Sequence, residues 1–365
     1  HPLYRVPPKY EKYFPSNYEW KSLNKDRVVS RSQRDWFRKR FPDLPEKTFQ
    51  PIPCGQCIGC RMQYSREWAD RCVMEAKQYK YNAFITLTYD TPYLTYKTVP
   101  DIDHISLETG EIPLIRKPVL VPEQLQLFMK RLRKWFSIES NLKKYGIRAR
   151  GPIRFFGCGE YGDLHGRPHF HVVLFNCDFA DRKPWFRKNG FTTYQSGILQ
   201  QLWPYGMTSV CDVNWETCAY VARYVMKKLK GKAKKYREDA IQLAREAHPE
   251  LDDIDFQEEF TRMSRKPGIA WQYYQDNADR IYQTDEDFIK TKNAVRKIRP
   301  PRYFDRMYDL ENSERMKEIK EQRADLAIAA QKDAESRTDL TEEEYMKVRE
   351  RAAQANLERQ KRTLD

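Results

Sequence analysis

No apolar run in this chain reaches the roughly 18 residues of a membrane-spanning helix, which excludes a helical membrane protein. Cysteine is sparse: eight in 365 residues are too few for the disulfide framework of a small secreted scaffold. The opening stretch HPLYRVPPKYEKYFP lacks the apolar core of a secretory signal. Together these absences predict a cytosolic protein with no membrane partner. No Gly-rich loop followed by Lys-Ser or Lys-Thr occurs, which excludes a built-in NTP-driven motor of the Walker type. No internal repeat is present, so a solenoid or propeller is excluded as well.

Aromatic side chains are plentiful: 8 Trp, 23 Tyr and 18 Phe supply the apolar surface of a folded core and argue against a disordered chain. The length suits one sizeable mixed domain with appendages, or two modest ones. Positive charge is unevenly spread. Residues 311–365 hold 12 Lys and Arg against 14 Asp and Glu, which leaves 54 against 38 upstream and an excess of +16 on the first 310 residues. A folded region with that excess attracts a polyanion, because neutralising phosphates releases condensed counterions. Nucleic acid is the natural partner, with a merely soluble basic protein as the plain alternative.

Five regions follow from the pattern. Residues 1–50, rich in Pro, Tyr and basic side chains without clear period, read as an extended N-terminal arm. Residues 51–80 form a Cys-containing module running into a helix, with Met62, Trp68, Cys72 and Val73 as its apolar points. Residues 81–232 carry the mixed domain. NAFITLTYD reads as a buried strand, PEQLQLFMKRLRKWF as a basic amphipathic helix, IRFFGCGEYG and RPHFHVVLF as a hairpin, and GMTSVCDV as a further strand. Asn214 is a suitable N-cap for the helix WETCAYVARYVMKKLK, with Glu216 in its first turn. Residues 233–305 read as a helical and basic accessory region. Residues 306–365, almost all helix-formers of both charge signs, read as exposed helices, because apolar heptad positions are not sustained.

The chemistry concentrates in three places. His169 and His171 lie two apart on a predicted strand, so both imidazoles share a face while Phe170, Val172 and Leu174 point into the core. Two aligned imidazoles suit a divalent metal, although such a pair is also found as half-buried polar surface. If GDLHG closes the hairpin, Glu160 sits beside His169 and brings the oxygen donor that Mg²⁺ or Mn²⁺ prefers. Asp163 and His165, at the turn, are the competing donors.

Tyr220 and Tyr224 are four apart on a predicted helix and share a face, with Lys227 and Lys228 one turn on. Core packing is the plain reading of such a pair. Cys54, Cys57 and Cys60 form C-x2-C-x2-C, with Cys72 as the nearest fourth sulfur. This set suits structural Zn²⁺, with reduced free thiols as the alternative. Arg167, before the histidine strand, Arg223, between the tyrosines, and Lys228 are candidate DNA-backbone contacts.

The conjunction of His169-Phe170-His171 with Tyr220-x-x-x-Tyr224 resembles the HUH endonucleases, and FITLTYD resembles their first motif. CGQCIGCR, GEYGDLHGRPHFHVVLF, YVARYVMKK, MSRKPGIAWQYYQ and RPPRYFDRMY resemble the rolling-circle replication initiation proteins of small single-stranded-DNA phages, the Microviridae, in their gokushovirus branch. The resemblance covers about residues 50–310. It implies an α+β HUH fold, a central antiparallel sheet flanked by helices, with a helical C-terminal extension. It further implies a metal-dependent nickase and strand-joining enzyme in which Tyr220 and Tyr224 are nucleophiles, Lys227 counters phosphate charge, and His169, His171 and Glu160 hold the cation. The implied partners are a single-stranded viral DNA origin and the host DNA polymerase and helicase, in the host bacterial cytoplasm. The rivals are an HUH relaxase, transposase or plasmid replication protein, and a non-catalytic single-strand binder in which the tyrosines only pack.

Overall fold

A computed structural model of the chain describes residues 3–14, 28–101, 113–145, 151–162, 165–188, 190–227, 232–249 and 256–360. They fall into two units: one from residues up to 63, 281–285 and 300–363, the other from 64–280 and 286–299.

Where an extended arm is expected, the first unit builds a small antiparallel sheet. Its strands are β1 (Leu3–Arg5), β2 (Val28–Ser30) and β3 (Gln50–Ile52), with β1 in the middle. Helix α1 (Arg31–Arg40) starts on Ser30, whose hydroxyl accepts from the Gln33 N–H while the Gln33 side chain accepts from the Ser30 N–H. Tyr4, Val6, Phe14, Val29, Phe37 and Phe49 form its core. Strands of three residues bury one side chain or none each, too few to display an alternating pattern in the sequence.

Helix α2 (Ile58–Ala76) follows, and the second unit then runs through a long series of elements. Strand β4 is Asn82–Leu87, and a small ribbon comprises β5 (Tyr96–Pro100) and β6 (Leu114–Pro118). Helices α3 (Pro122–Ser137) and α4 (Glu139–Tyr145) lead to the hairpin of β7 (Arg154–Tyr161) and β8 (Pro168–Phe175). Strands β9 (Lys183–Lys188) and β10 (Phe191–Gln195), helix α5 (Gly197–Leu202), strand β11 (Thr208–Cys211) and helix α6 (Trp215–Lys227) come next. Helix α7 (Lys232–Ala247), strand β12 (Phe260–Met263), helix α8 (Trp271–Thr284) and the ribbon β13 (Asp287–Lys290) and β14 (Val295–Ile298) complete the series.

Seven of these strands form one antiparallel sheet in the order β12-β7-β8-β4-β11-β10-β9. Alternation along the strands sends side chains to two layers. On one face Ile85, Leu87, Phe170, Val172, Leu174 and Val210 pack against the apolar stripe of α3, Leu125, Phe128, Leu132 and Phe136, and against Trp203. On the other, Phe84, Phe156, Cys158, Val173, Phe175 and Cys211 pack against Ala69 and Cys72 of α2 and Cys218, Tyr220, Val221 and Ala222 of α6. The sheet therefore reaches past residue 232: β12, expected in an accessory region, pairs with β7 as an outer strand. Gly159 is required there, because a Cβ at that position would lie 2.7 Å from the Phe260 ring.

A buried charged network fastens the loop 267–270 inside the same unit. Arg154 donates to Glu75 at 2.5 Å and to the carbonyls of Pro267 and Gly268, Glu75 accepts the Ala270 N–H, and Arg71 donates to the Ile269 carbonyl. Removing one partner of such a pair leaves an uncompensated buried charge, at a cost of about 3–5 kcal/mol.

The C-terminal helices α9 (Arg302–Glu311), α10 (Ser313–Ser336) and α11 (Glu342–Gln360) belong to the first unit. They are largely exposed, as expected, but anchored. Met316 and Ile319 are buried, Arg323 pairs with Asp285 and Asp305, and Glu342 accepts from Tyr4 and pairs with Arg31 and Arg34.

Candidate active site

The hairpin register brings the predicted ligands together. Glu160 stands opposite His169, and Cys158 opposite His171, so Glu160 and both imidazoles lie on the α6 face of the sheet. The Nε2 atoms of His169 and His171 both approach Glu160 Oε1, the second at 2.9 Å. The ligand atoms of the three residues lie within 4.8 Å of one another. Glu160 is buried and its Oε2 has no hydrogen-bond partner among the described residues.

The far side of each ring is held. His169 Nδ1 lies 3.1 Å from the Arg167 carbonyl, which can only accept, so Nδ1 carries the proton and Nε2 of the neutral ring presents a lone pair. His171 Nδ1 contacts the Thr86 hydroxyl at 2.9 Å from the neighbouring strand β4. Neutral histidine and carboxylate would thus converge as acceptors on one point, which is stable only with positive charge between them. Protonated imidazoles supply such charge themselves: burial opposes ionisation of Glu160, yet the charge of His171 and His169 in their protonated form, with their hydrogen bonds, outweighs it and holds its carboxyl down to about 2. Imidazole nitrogens with one carboxylate, one oxygen of it unpartnered, form a donor set that fits a divalent cation of the Mn²⁺ or Mg²⁺ class.

Helix α6 delivers the phenols. Asn214 caps it by accepting the Thr217 N–H, while the Thr217 hydroxyl accepts from the Asn214 N–H. Tyr220 is 4% exposed, its ring centroid lies 4.8 Å from His171, and its hydroxyl donates to Glu160 Oε1 at 3.3 Å. Tyr224, half-buried one turn on, has its ring 6.0 Å from that of Tyr220. The Arg223 guanidinium lies 5.9 Å from the Tyr220 ring. Arg167 donates to the Tyr89 carbonyl at 2.8 Å and contacts the Thr91 hydroxyl, tying the start of β8 to the segment after β4. His165 is exposed at the hairpin turn, outside the cluster. Lys227 ends α6, while Asp163 and Lys228 lie outside the described residues. Thr86 is the residue that sequence reasoning missed. Within FITLTYD it is one more β-branched strand residue with no ligand signal, and only strand pairing across 85 positions brings it to His171.

The cysteines divide. Cys54, Cys57 and Cys60 place their sulfurs within 4.8 Å of one another, with Cys54 and Cys60 at 3.8 Å. Burial alone would raise the Cys54 thiol, but the N–H groups of Cys57 and Gln56 outweigh it and hold it down to about 7, whereas burial pushes Cys60 up to about 11. Cys72, expected as the fourth ligand, is not among them. It lies twelve residues along α2 from Cys60, about 18 Å of helix, and is buried in the sheet core beside Cys218.

A family profile described as Replication-associated protein ORF2/G2P matches residues 82–229, which contain β4 through α6 with Glu160, both histidines and both tyrosines. The Replication-associated protein ORF2 of Spiroplasma virus 4 is 30% identical over 262 residues, 71% of this chain and 68% of that protein. The chain belongs to the phage replication-associated proteins. Within this family, Replication-associated protein VP4 of Bdellovibrio phage phiMH2K is 33% identical over 179 residues, 49% of each chain. Replication-associated protein ORF4 of Chlamydia phage 1 is 31% identical over 183 residues, 49% of this chain and 38% of that one. No solved structure matches the chain. None of its described helices is long and apolar enough to cross a membrane.

Proposed function

We propose that this phage replication-associated protein is an HUH-type nickase that cuts and rejoins a single-stranded DNA origin to start and finish rolling-circle replication. The observation that carries the reading is the convergence of Glu160, His169 and His171 beneath the Tyr220 hydroxyl. A divalent cation held by those three residues would neutralise charge building on a non-bridging phosphate oxygen. A phenol with an ordinary pKa near 10 is a weak nucleophile at neutral pH, so it needs that positive field at the phosphate.

Tyr220 makes the first attack in this reading. Its Oη bonds to phosphorus, the bond from phosphorus to the 3′-oxygen breaks, and the phenol proton ends, in net terms, on that oxygen. The products are a 5′-phosphotyrosine and a free 3′-hydroxyl that a host polymerase extends, and the energy of the phosphodiester is retained for rejoining. Tyr224 then cuts the regenerated origin, and the released 3′-hydroxyl attacks the first linkage to close the circle. Lys227, at the end of α6, and Arg223 supply positive charge for the DNA backbone. Strand separation falls to a host helicase, and the work is done in the host bacterial cytoplasm. Cys54, Cys57 and Cys60 would supply three thiolates to a Zn²⁺, one short of the four ligands of a closed structural site.

The burial of Tyr220 against His171 and Phe84 also suits a binding module in which the phenols only pack. Phenylalanine separates the two readings, because it keeps the ring and deletes the attacking oxygen. Wild type with a single-stranded origin oligonucleotide and Mn²⁺ is expected to give a denaturant-resistant adduct mapping to residues 215–227, and Tyr220→Phe with Tyr224→Phe to give none. An adduct in the double variant assigns the nucleophile elsewhere, and no adduct in wild type favours the binding module.

A further inference from the structure

The far edge of the seven-stranded sheet carries a second feature that the nicking chemistry does not use. Strand β9, Lys-Pro-Trp-Phe-Arg-Lys, is exposed along its whole length. In a regular strand successive side chains point to opposite faces, so neighbours in sequence do not meet. Here Trp185 and Phe186 have ring centroids 4.8 Å apart while remaining 43% and 45% exposed.

The cause is a bulge. Thr193 of β10 pairs with Phe186 and Tyr194 pairs with Pro184, which leaves Trp185 as the extra residue. A bulge re-aims the side chain it inserts, and this one sets two large rings side by side at an open edge. The register places Phe186 opposite Thr193, which stands opposite Cys211, itself opposite Phe84. Phe186 therefore belongs to the same sheet face as Glu160 and the histidines. Four strand spacings separate β9 from β8, about 19 Å.

The charged side chains of the strand itself are all basic. Lys183, Arg187 and Lys188 flank the rings on β9 and form no ion pair among the described residues. The Lys292 ammonium lies 4.8 Å from the Phe191 ring, at the turn of the same hairpin, and the Lys292 N–H donates to Glu216 in the first turn of α6. The hairpin thus connects through one turn to the helix that carries both tyrosines.

Paired rings at an exposed edge have three occupants to consider, and the chemistry of the edge favours one. Pro184 lacks the N–H that strand addition needs, and Lys or Arg at an edge deters pairing with another copy, which would set like charges face to face. A polyanion with flat apolar groups satisfies both the charge and the rings. We propose that Trp185 and Phe186 form a stacking platform for unpaired bases of single-stranded DNA, with Lys183, Lys188 and Lys292 lining the backbone track beside it. The platform deepens the nicking reading, on which its biological role rests: it holds nucleotides a few positions from the scissile phosphate and sets where the strand enters.

Equilibrium binding of the full chain to a fluorescent oligothymidylate of about 20 nucleotides tests the platform without any cleavage, so its outcome is separate from the adduct experiment. Each of Trp185→Ala and Phe186→Ala is expected to weaken binding about 10-fold, with Trp185→Phe within about 2-fold of wild type. On an abasic oligonucleotide of the same length, which has phosphates and no bases, Trp185→Ala and wild type are expected to bind alike. Lys188→Ala is expected to lower the slope of log affinity against log salt by about 1. Unchanged oligothymidylate binding in Trp185→Ala with Phe186→Ala overturns the platform. So does an equal loss on the abasic strand, or a wild type that fails to bind oligothymidylate.

Discussion

The two candidate metal clusters of this protein are built in opposite ways. Cys54, Cys57 and Cys60 come from seven consecutive residues, and a turn followed by the first residues of a helix suffices to gather them. Glu160, His169 and His171 come from two strands and depend on a hairpin register, and Thr86, which steadies one ring, comes from a third strand. The donor atoms differ in the same sense. Three sulfurs suit a soft cation such as zinc and leave its fourth position to a further donor, whereas nitrogen with carboxylate oxygen suits a cation that shares its shell with a substrate. A phenol stands over the second cluster. A local set can be carried intact into many settings, while a set spread over three strands is only as good as the sheet beneath it.

That contrast can be broken by experiment. His169→Ala with His171→Ala is expected to cut origin nicking by about 10³-fold or more, the scale of losing a main transition-state charge stabiliser. Single-strand affinity, set by the basic surface, should stay within about 3-fold. Cleavage and binding measured on one labelled oligonucleotide check both, and full cleavage by the double variant at saturating Mn²⁺ would remove the metal assignment. A smaller effect is expected one shell out. Thr86→Val deletes the hydroxyl on His171 while keeping the β-branched shape of a strand residue, and the Mn²⁺ concentration for half-maximal nicking should rise about 10- to 100-fold. An unchanged metal requirement would show that the strand-to-strand contact does not position the ring.

The cysteines provide the mildest test. Cys57→Ser is expected to lose zinc by elemental analysis and to lower the melting temperature by about 1–3 °C, the shift for about 1–2 kcal/mol in a chain of this size. Nicking at saturating Mn²⁺ should remain within about 3-fold of wild type while the chain is folded. Abolition of nicking in a folded Cys57→Ser protein would mean that the two clusters do not divide structure from chemistry.

The division also explains what the sequence made legible. The histidine strand and Glu160 could be read because a short hairpin converts sequence distance into register. The seven-residue cysteine cluster could be read for the same local reason. Cys72 could not be placed by counting spacings, because the helix that starts at Ile58 carries it far from Cys60. The small sheet of residues 3–52 was hidden by its three-residue strands and read as an arm. Strand β9, Lys183–Lys188, was hidden by its Pro and charges, and β12, Phe260–Met263, by a partner about a hundred residues away in sequence. What escaped was set by pairing between distant segments, and what was visible was set by neighbours.

Strand β12 has a practical corollary for anyone seeking a minimal fragment that keeps the site. Residues 82–229 contain Glu160, both histidines and both phenols and look self-sufficient. Cut there, the chain would lose the strand that pairs with Gly157, Cys158 and Gly159, just ahead of Glu160. The ligand-bearing strand would become a bare rim of unpaired N–H and carbonyl groups, a template for fibril-like stacking between copies. The Phe260 ring that fills the space over Gly159 would be gone as well. A dissected fragment therefore needs its outer boundary beyond Met263, and the loop pinned by Arg154 and Glu75 moves it past Ala270.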